Sequence, residues 1–187
     1  MLRRDLLSLG TLLAAGGLAS AIPDVAGAKA DTKPGLLANG VKGTWKGKGN
    51  GSGTLTANVL VQSFAVANGS RRLRVQGRIA SPGGTGGLAA FVSQPFTAGA
   101  KLVPGGSGGK SCGVLSLEIG TIHLSLRGGL AIKLAPIKLG LPSRYHELDS
   151  NLCTLEGLLA GGGSSADIKA VLDQINATLA KSLITIQ

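Results

Sequence analysis

The chain has 187 residues, of which 31 are glycine and only 3% aromatic, and its 19 lysines and arginines outnumber its 9 acids to leave a net charge of +10. That length suits one domain around one core and is short for two lobes enclosing a ligand cleft. The positive excess favours anionic partners, whereas so few aromatic rings argue against nucleic-acid binding by base stacking.

At the start of the chain, Arg3 and Arg4 precede an apolar run from Leu6 to Ile22, with small-residue cleavage options after Ala21, Ala28 or Ala30. A charged start, a short apolar centre and small residues beyond it are the layout of a signal peptide. Gly10, Gly16 and Gly17 dilute the run, whose length is marginal for spanning a bilayer. Arg3-Arg4-Asp5-Leu6-Leu7 resembles the twin-arginine export signal, although Ser8 stands where a lysine often follows, so general secretion is the alternative route. Residues 1–30 are therefore expected to be an export signal, and residues 31–187 one domain working in the periplasm or outside the cell. That domain keeps 16 Lys+Arg against 7 Asp+Glu, a net charge of +9.

Glycine clusters at Gly47–Gly53, Gly83–Gly87, Gly105–Gly109 and Gly161–Gly163 predict turns between short apolar stretches. From Thr54 to Ala80, Leu55, Ala57, Val59 and Val61 alternate with smaller or polar neighbours, and then Phe64 and Val66 continue on the opposite parity. A one-residue slip inverts the faces of a strand, so a bulge is expected near Gln62-Ser63. Asn68-Gly69 reads as a hairpin turn. Beyond it Leu73, Val75 and Ile79 alternate with Arg72, Arg74, Gln76 and Arg78, which predicts one apolar face and one basic face, with Arg71 at its start.

A second unit, Cys112–Leu141, keeps a period of two through Leu115, Leu117 and Ile119, then Ile122, Leu124 and Leu126, then Leu130, Ile132 and Leu134. Parity resets at each glycine step and again at Pro136, after which Ile137 and Leu139 define a strand expected at an edge or a bulge. Helical spacing appears late. Ser164-Ser165-Ala166-Asp167 reads as a helix start for Ile168, Val171, Leu172, Ile175 and Leu179, with Lys181 suited to the far end of the dipole. A shorter helix is expected over Asn151–Leu159. Cys112 and Cys153 are the only cysteines, and in an oxidising compartment one disulfide between them is expected, contributing roughly 3–4 kcal/mol. The expected fold is mostly β, an antiparallel sandwich or partly closed barrel with one or two C-terminal helices.

The stretches GTLTANVLVQSFAVANGSRRLRVQGRIA, CGVLSLEIGTIHLSLRGGLAIKLAPIKLGL and SNLCTLEGLLA resemble a set of exported bacterial proteins of unknown function. These pair an N-terminal hairpin with a cysteine-bounded block of Leu-rich short strands. The resemblance covers about two-thirds of residues 31–187 and implies fold and compartment rather than activity. It carries over no catalytic residue. The chain departs from that pattern at Pro142–Asp149, which replaces a Gly/Pro-rich loop.

Candidate chemistry is sparse. Arg144–Asp149 gathers Tyr145, His146, Glu147 and Asp149, enough for acid–base work only if geometry assembles them, and reads as a solvated loop. His123 falls in a β pattern away from His146, and two histidines are too few for a zinc site. Gly108-Gly109-Lys110-Ser111 lacks the helix that a phosphate loop requires, and Gly47–Gly53 lacks the strand–turn–helix setting of a dinucleotide fingerprint. No Gly-x-Ser-x-Gly elbow occurs in a strand-to-helix context. No catalytic, cofactor-binding or metal-ligating residues are assigned, and an enzyme is not expected. Asn50, Asn68 and Asn176 begin glycosylation-like triplets to which no role is given. The leading reading is a structural or interaction protein that holds anionic cell-surface polymers or lipid headgroups on Arg72, Arg74 and Arg78. Lys42, Lys46 and Lys48 would help if their strand lies alongside. The alternative is a carrier of an apolar ligand within a barrel.

Overall fold

The computed structural model describes residues 33–67, 70–104, 116–141 and 146–186. The expected export signal, the Asn68-Gly69 turn, the Gly105–Gly109 cluster with Lys110 and Ser111, Cys112 and the loop residues Pro142–Tyr145 lie outside the described residues.

Strands β1 (Gly35–Lys46) and β2 (Ser52–Val66) form a hairpin whose turn is the first glycine cluster. Gly47 N–H donates to Gly51 O at 2.7 Å across it. Small residues are needed here because the turn folds over Trp45, whose Nε1 donates to Thr85 O at 2.9 Å. A Cβ at Gly53 would stand 2.4 Å from that same Thr85 oxygen. The phase slip in β2 is a bulge, since the register against β3 (Leu73–Ser81) shifts between Val61 and Ser63. Leu55, Ala57, Val59 and Val61 face the core before it and Phe64 after it. β1 has its own register shift between Ala38 and Val41, where Gly40 takes a φ of 73°.

After a short 3-10 turn at Thr85–Gly87, β4 (Phe91–Val103) runs back along β3. Phe96 lies over Gly77, where a Cβ would come 1.9 Å from Leu60 O and 2.9 Å from the Phe96 ring. Four short strands follow: β5 (Ser116–Ile119), β6 (Ile122–Leu126), β7 (Leu130–Leu134) and β8 (Ile137–Gly140). They make one bent ribbon. Ile122 faces Leu134 and Ile119 faces Ile137, so the register carries unbroken across the two-residue links Gly120-Thr121 and Ala135-Pro136. Leu117, Ile119, Ile137 and Leu139 are buried in one half and Ile122, Leu124, Ile132 and Leu134 in the other. These sets have opposite parity, so the ribbon turns a corner and exchanges the face it offers to the core.

The strand order is β6-β7-β1-β2-β3-β4-β5-β8. The ribbon half containing β7 pairs with β1 and the half containing β5 pairs with β4, which draws the two ends of the sheet together into a partly closed antiparallel barrel. Gly120 N–H donates to Gly99 O at 2.9 Å, which carries the β4–β5 ladder one residue past Ile119. Pro136 thus precedes a strand at the end of the sheet order, an edge position that tolerates a missing donor. A last strand, β9 (Leu183–Ile186), runs parallel to the first residues of β1, along the edge that β7 leaves open.

Helices α1 (His146–Gly161) and α2 (Ser165–Leu179) add their apolar faces to the same core. α1 starts before the expected Asn151 because Leu148 extends the buried series Leu148, Leu152 and Leu155 by one turn. α2 starts where its cap residues place it, with Ser164 Oγ accepting from Asp167 N–H at 3.1 Å. Its buried residues are Ile168, Leu172, Ile175 and Leu179. Asn176 ties it to the sheet. Phe64 N–H donates to Asn176 Oδ1 at 2.8 Å, and Asn176 Nδ2 donates to Phe64 O at 3.0 Å. The β1 ladder ends at Val61, so this side-chain amide satisfies the backbone of β2 just past its bulge, as another strand would.

Removing that amide leaves a donor and an acceptor of Phe64 without partners, at about 1–3 kcal/mol each in a buried setting. Asn176→Ala is therefore expected to cost about 2–4 kcal/mol in urea unfolding, read as a lower midpoint with unchanged slope; a loss below about 0.5 kcal/mol would show that the clasp carries no weight. Gly77→Ala should cost about 3 kcal/mol or more, because its methyl meets backbone that cannot move without parting β2 from β3.

Candidate anion-binding face

The alternation of β3 sends Leu73, Val75 and Ile79 into the core and leaves Arg74, Gln76 and Arg78 on the outside. Arg72, immediately before the strand, is also exposed. The three arginines differ in what surrounds them. Arg78 is half-buried, and its Nη1 donates to Ser93 O at 3.0 Å and to Ser93 Oγ at 3.1 Å. Ser93 has a φ of 57° and lies where the β3–β4 register shifts between Ile79 and Ser81, so Arg78 braces an irregular stretch of β4. Arg74 stands between Ala65 on β2 and Gly99 on β4, neighbours too small to shield a guanidinium. Arg72 and Arg74 have no carboxylate partner among the described residues.

The basic face extends sideways through the sheet. Continuing the Arg74–Gly99 register to the next outward-facing pair sets Arg72 beside Lys101. Lys101 pairs across the ladder with Glu118, and Glu118 with Lys138, whose Nζ lies 3.7 Å from the carboxylate. Both side chains of that ion pair are largely exposed, so it contributes little to stability.

Lys42, Lys46 and Lys48 do not join this face. β2 separates β1 from β3, and Lys42 faces Thr56 while Arg74 faces Ala65, nine residues further along β2 and roughly 30 Å away. Lys48 instead lays its stem over Gly129 in the β6–β7 turn. The sequence marks Arg71 only as the residue opening the basic strand. In the fold, its guanidinium rests against Gly162, which ends α1 with a φ of 82°. The negative end of the α1 dipole favours a cation there. Arg71 and Gly162 lie 91 positions apart, and no local pattern in the sequence joins them.

The remaining candidates are dispersed. His123 is exposed on β6, and Glu147 is exposed in the first turn of α1. Among the described residues no group of three His, Cys, Asp or Glu side chains could hold a metal. Cys153 is half-buried on α1 and is not a free thiol, while Cys112 lies outside the described residues. No helix among the described residues is long and apolar enough to cross a membrane. The barrel interior is occupied by its own side chains, Trp45, Phe64, Phe96 and the aliphatic residues packed with them.

Comparison with protein-family models, with curated proteins and with solved structures finds no match to this chain.

The different settings of the arginines predict different costs of truncation. Arg78→Ala should lose about 1–2 kcal/mol, because hydrogen bonds from a charged donor to Ser93 are removed. Arg74→Ala should stay within about 0.5 kcal/mol of the parent. Paired urea titrations check this, and equal losses would contradict the bracing role given to Arg78.

Proposed function

We propose that this is an exported, non-enzymatic binding protein that holds anionic groups of the cell surface, polymer-borne or headgroup-borne, on the outer face of β3. The observation that carries the reading is the exposure of Arg72 and Arg74 without a carboxylate partner among the described residues, beside Lys101. Successive outward residues of a strand repeat about every 6.6–6.8 Å, so the strand spaces its cations regularly with no backbone ordering on binding. Arginine binds phosphate and carboxylate through paired, charge-assisted hydrogen bonds. Arg78, engaged by Ser93, positions β4 beside this face and adds to its charge.

The same reading includes residues 1–30 as an export signal and a Cys112–Cys153 disulfide, which the absence of a free thiol at Cys153 supports. Such a bridge would fasten α1 to the segment leading into β5. A ligand inside the barrel draws no support from an interior already filled by side chains.

The test is a salt titration of binding to polygalacturonate and to vesicles containing phosphatidylglycerol. Binding should weaken steeply between roughly 50 and 300 mM salt, and Arg72→Ala with Arg74→Ala should reduce it about tenfold or more at low salt. Absent or salt-insensitive binding would remove the basis for the proposal.

A further inference from the structure

A groove of about 720 Å³ lies between the β3–β4–β5 surface and α1. That size falls within the range of small-molecule sites, about 300–1,000 Å³. Accessible hydrocarbon from Ala100, Pro136 and Leu159 lines it, and Arg71, Arg72 and Lys101 supply its cations. None of the three has an ion pair among the described residues. Two carboxylates also line the groove. Glu118 lies between Lys101 and Lys138 across the ladder and is 3.7 Å from the latter, which leaves Glu156 as the one unneutralised acid against three cations.

This combination discriminates between ligands. A hydrated polysaccharide gains nothing from a hydrocarbon wall, and an uncharged lipid gains nothing from the cations. We propose that the groove binds a single-chain anionic amphiphile, with its phosphate or carboxylate between Arg72 and Lys101 and its alkyl chain along Ala100, Pro136 and Leu159. The inference rests on the basic-face reading, because Arg72 serves both, and it narrows the ligand to one with a chain. Each methylene that the groove covers should tighten binding roughly fourfold.

Calorimetry on the full chain with octyl, decyl and dodecyl phosphate below their micelle concentrations tests it, with inorganic phosphate as the head alone and dodecyl maltoside as the uncharged control. The expected result is a Kd that falls about tenfold at each two-methylene step of the series, no measurable binding of either control, and a loss of at least tenfold for dodecyl phosphate in Arg72→Ala with Lys101→Ala. Lys133→Ala, an exposed cation outside the groove, should bind like the parent. Leu159→Ser should flatten the chain-length dependence, and the series on the unaltered protein decides the matter if that variant does not fold. A Kd independent of chain length, or equal binding of dodecyl maltoside, overturns the inference. If salt-sensitive binding to polygalacturonate survives that result, the basic-face reading stands alone; if it also fails, both fall.

Discussion

Gly120-Thr121 and Ala135-Pro136 each join strands that stand toward opposite ends of the sheet order. Two residues span less than about 11 Å between their flanking Cα atoms at full extension, roughly two strand spacings, so the sheet has to curl until its ends meet. Chain continuity through these links, rather than a complete hydrogen-bonded seam, holds the sheet as a partly closed barrel. The parity change across both links then follows. A ribbon that leaves one wall for another must present its other face to the same core, and apolar residues occur on both faces, one set in each half.

The helices depend on that closure. With the sheet curled, α1 and α2 bury seven aliphatic side chains against it: Leu148, Leu152, Leu155, Ile168, Leu172, Ile175 and Leu179. The Asn176 amide occupies the place beside β2 that β1 has left, which explains a polar residue among the partly buried positions of α2. It also gives Asn176 a structural duty in the folded chain that the glycosylation-like triplet around it does not suggest. The groove arises where β5 pairs with β4 and the α1 residues Glu156, Leu159 and Ala160 stand beside them.

Several elements were legible because their cause is local. The bulge at Gln62, the apolar and basic faces of β3, the glycine turn after β1, the strand block of the ribbon and the Ser164 cap each follow from neighbouring residues. Others were not. β1 has glycine at positions 35, 40 and 43, and β4 mixes Pro95, Gly99 and three alanine or serine positions between its few large residues, so neither shows a clean period. β9 is four residues long and acquires its strand character from the edge of β1. The first turn of α1 follows a similar rule, since Leu148 is helical because the core receives it.

For the site, the alternation of Arg72, Arg74 and Arg78 with apolar residues was sufficient to place three cations on one face, since side chains of a strand alternate whatever lies beside it. The tertiary structure decided which of them stay available. Ser93 engages Arg78, Ala65 and Gly99 leave Arg74 open, and Lys101 rather than the lysines of β1 lies next to Arg72. The sequence by itself determined periodicity, turns, caps and charge, which depend on residues within a few positions of one another. Closure of the barrel, the amide clasp and the meeting of Arg71, Lys101 and Leu159 at one groove depend on residues tens of positions apart, whose pairing is selected only when the whole core packs.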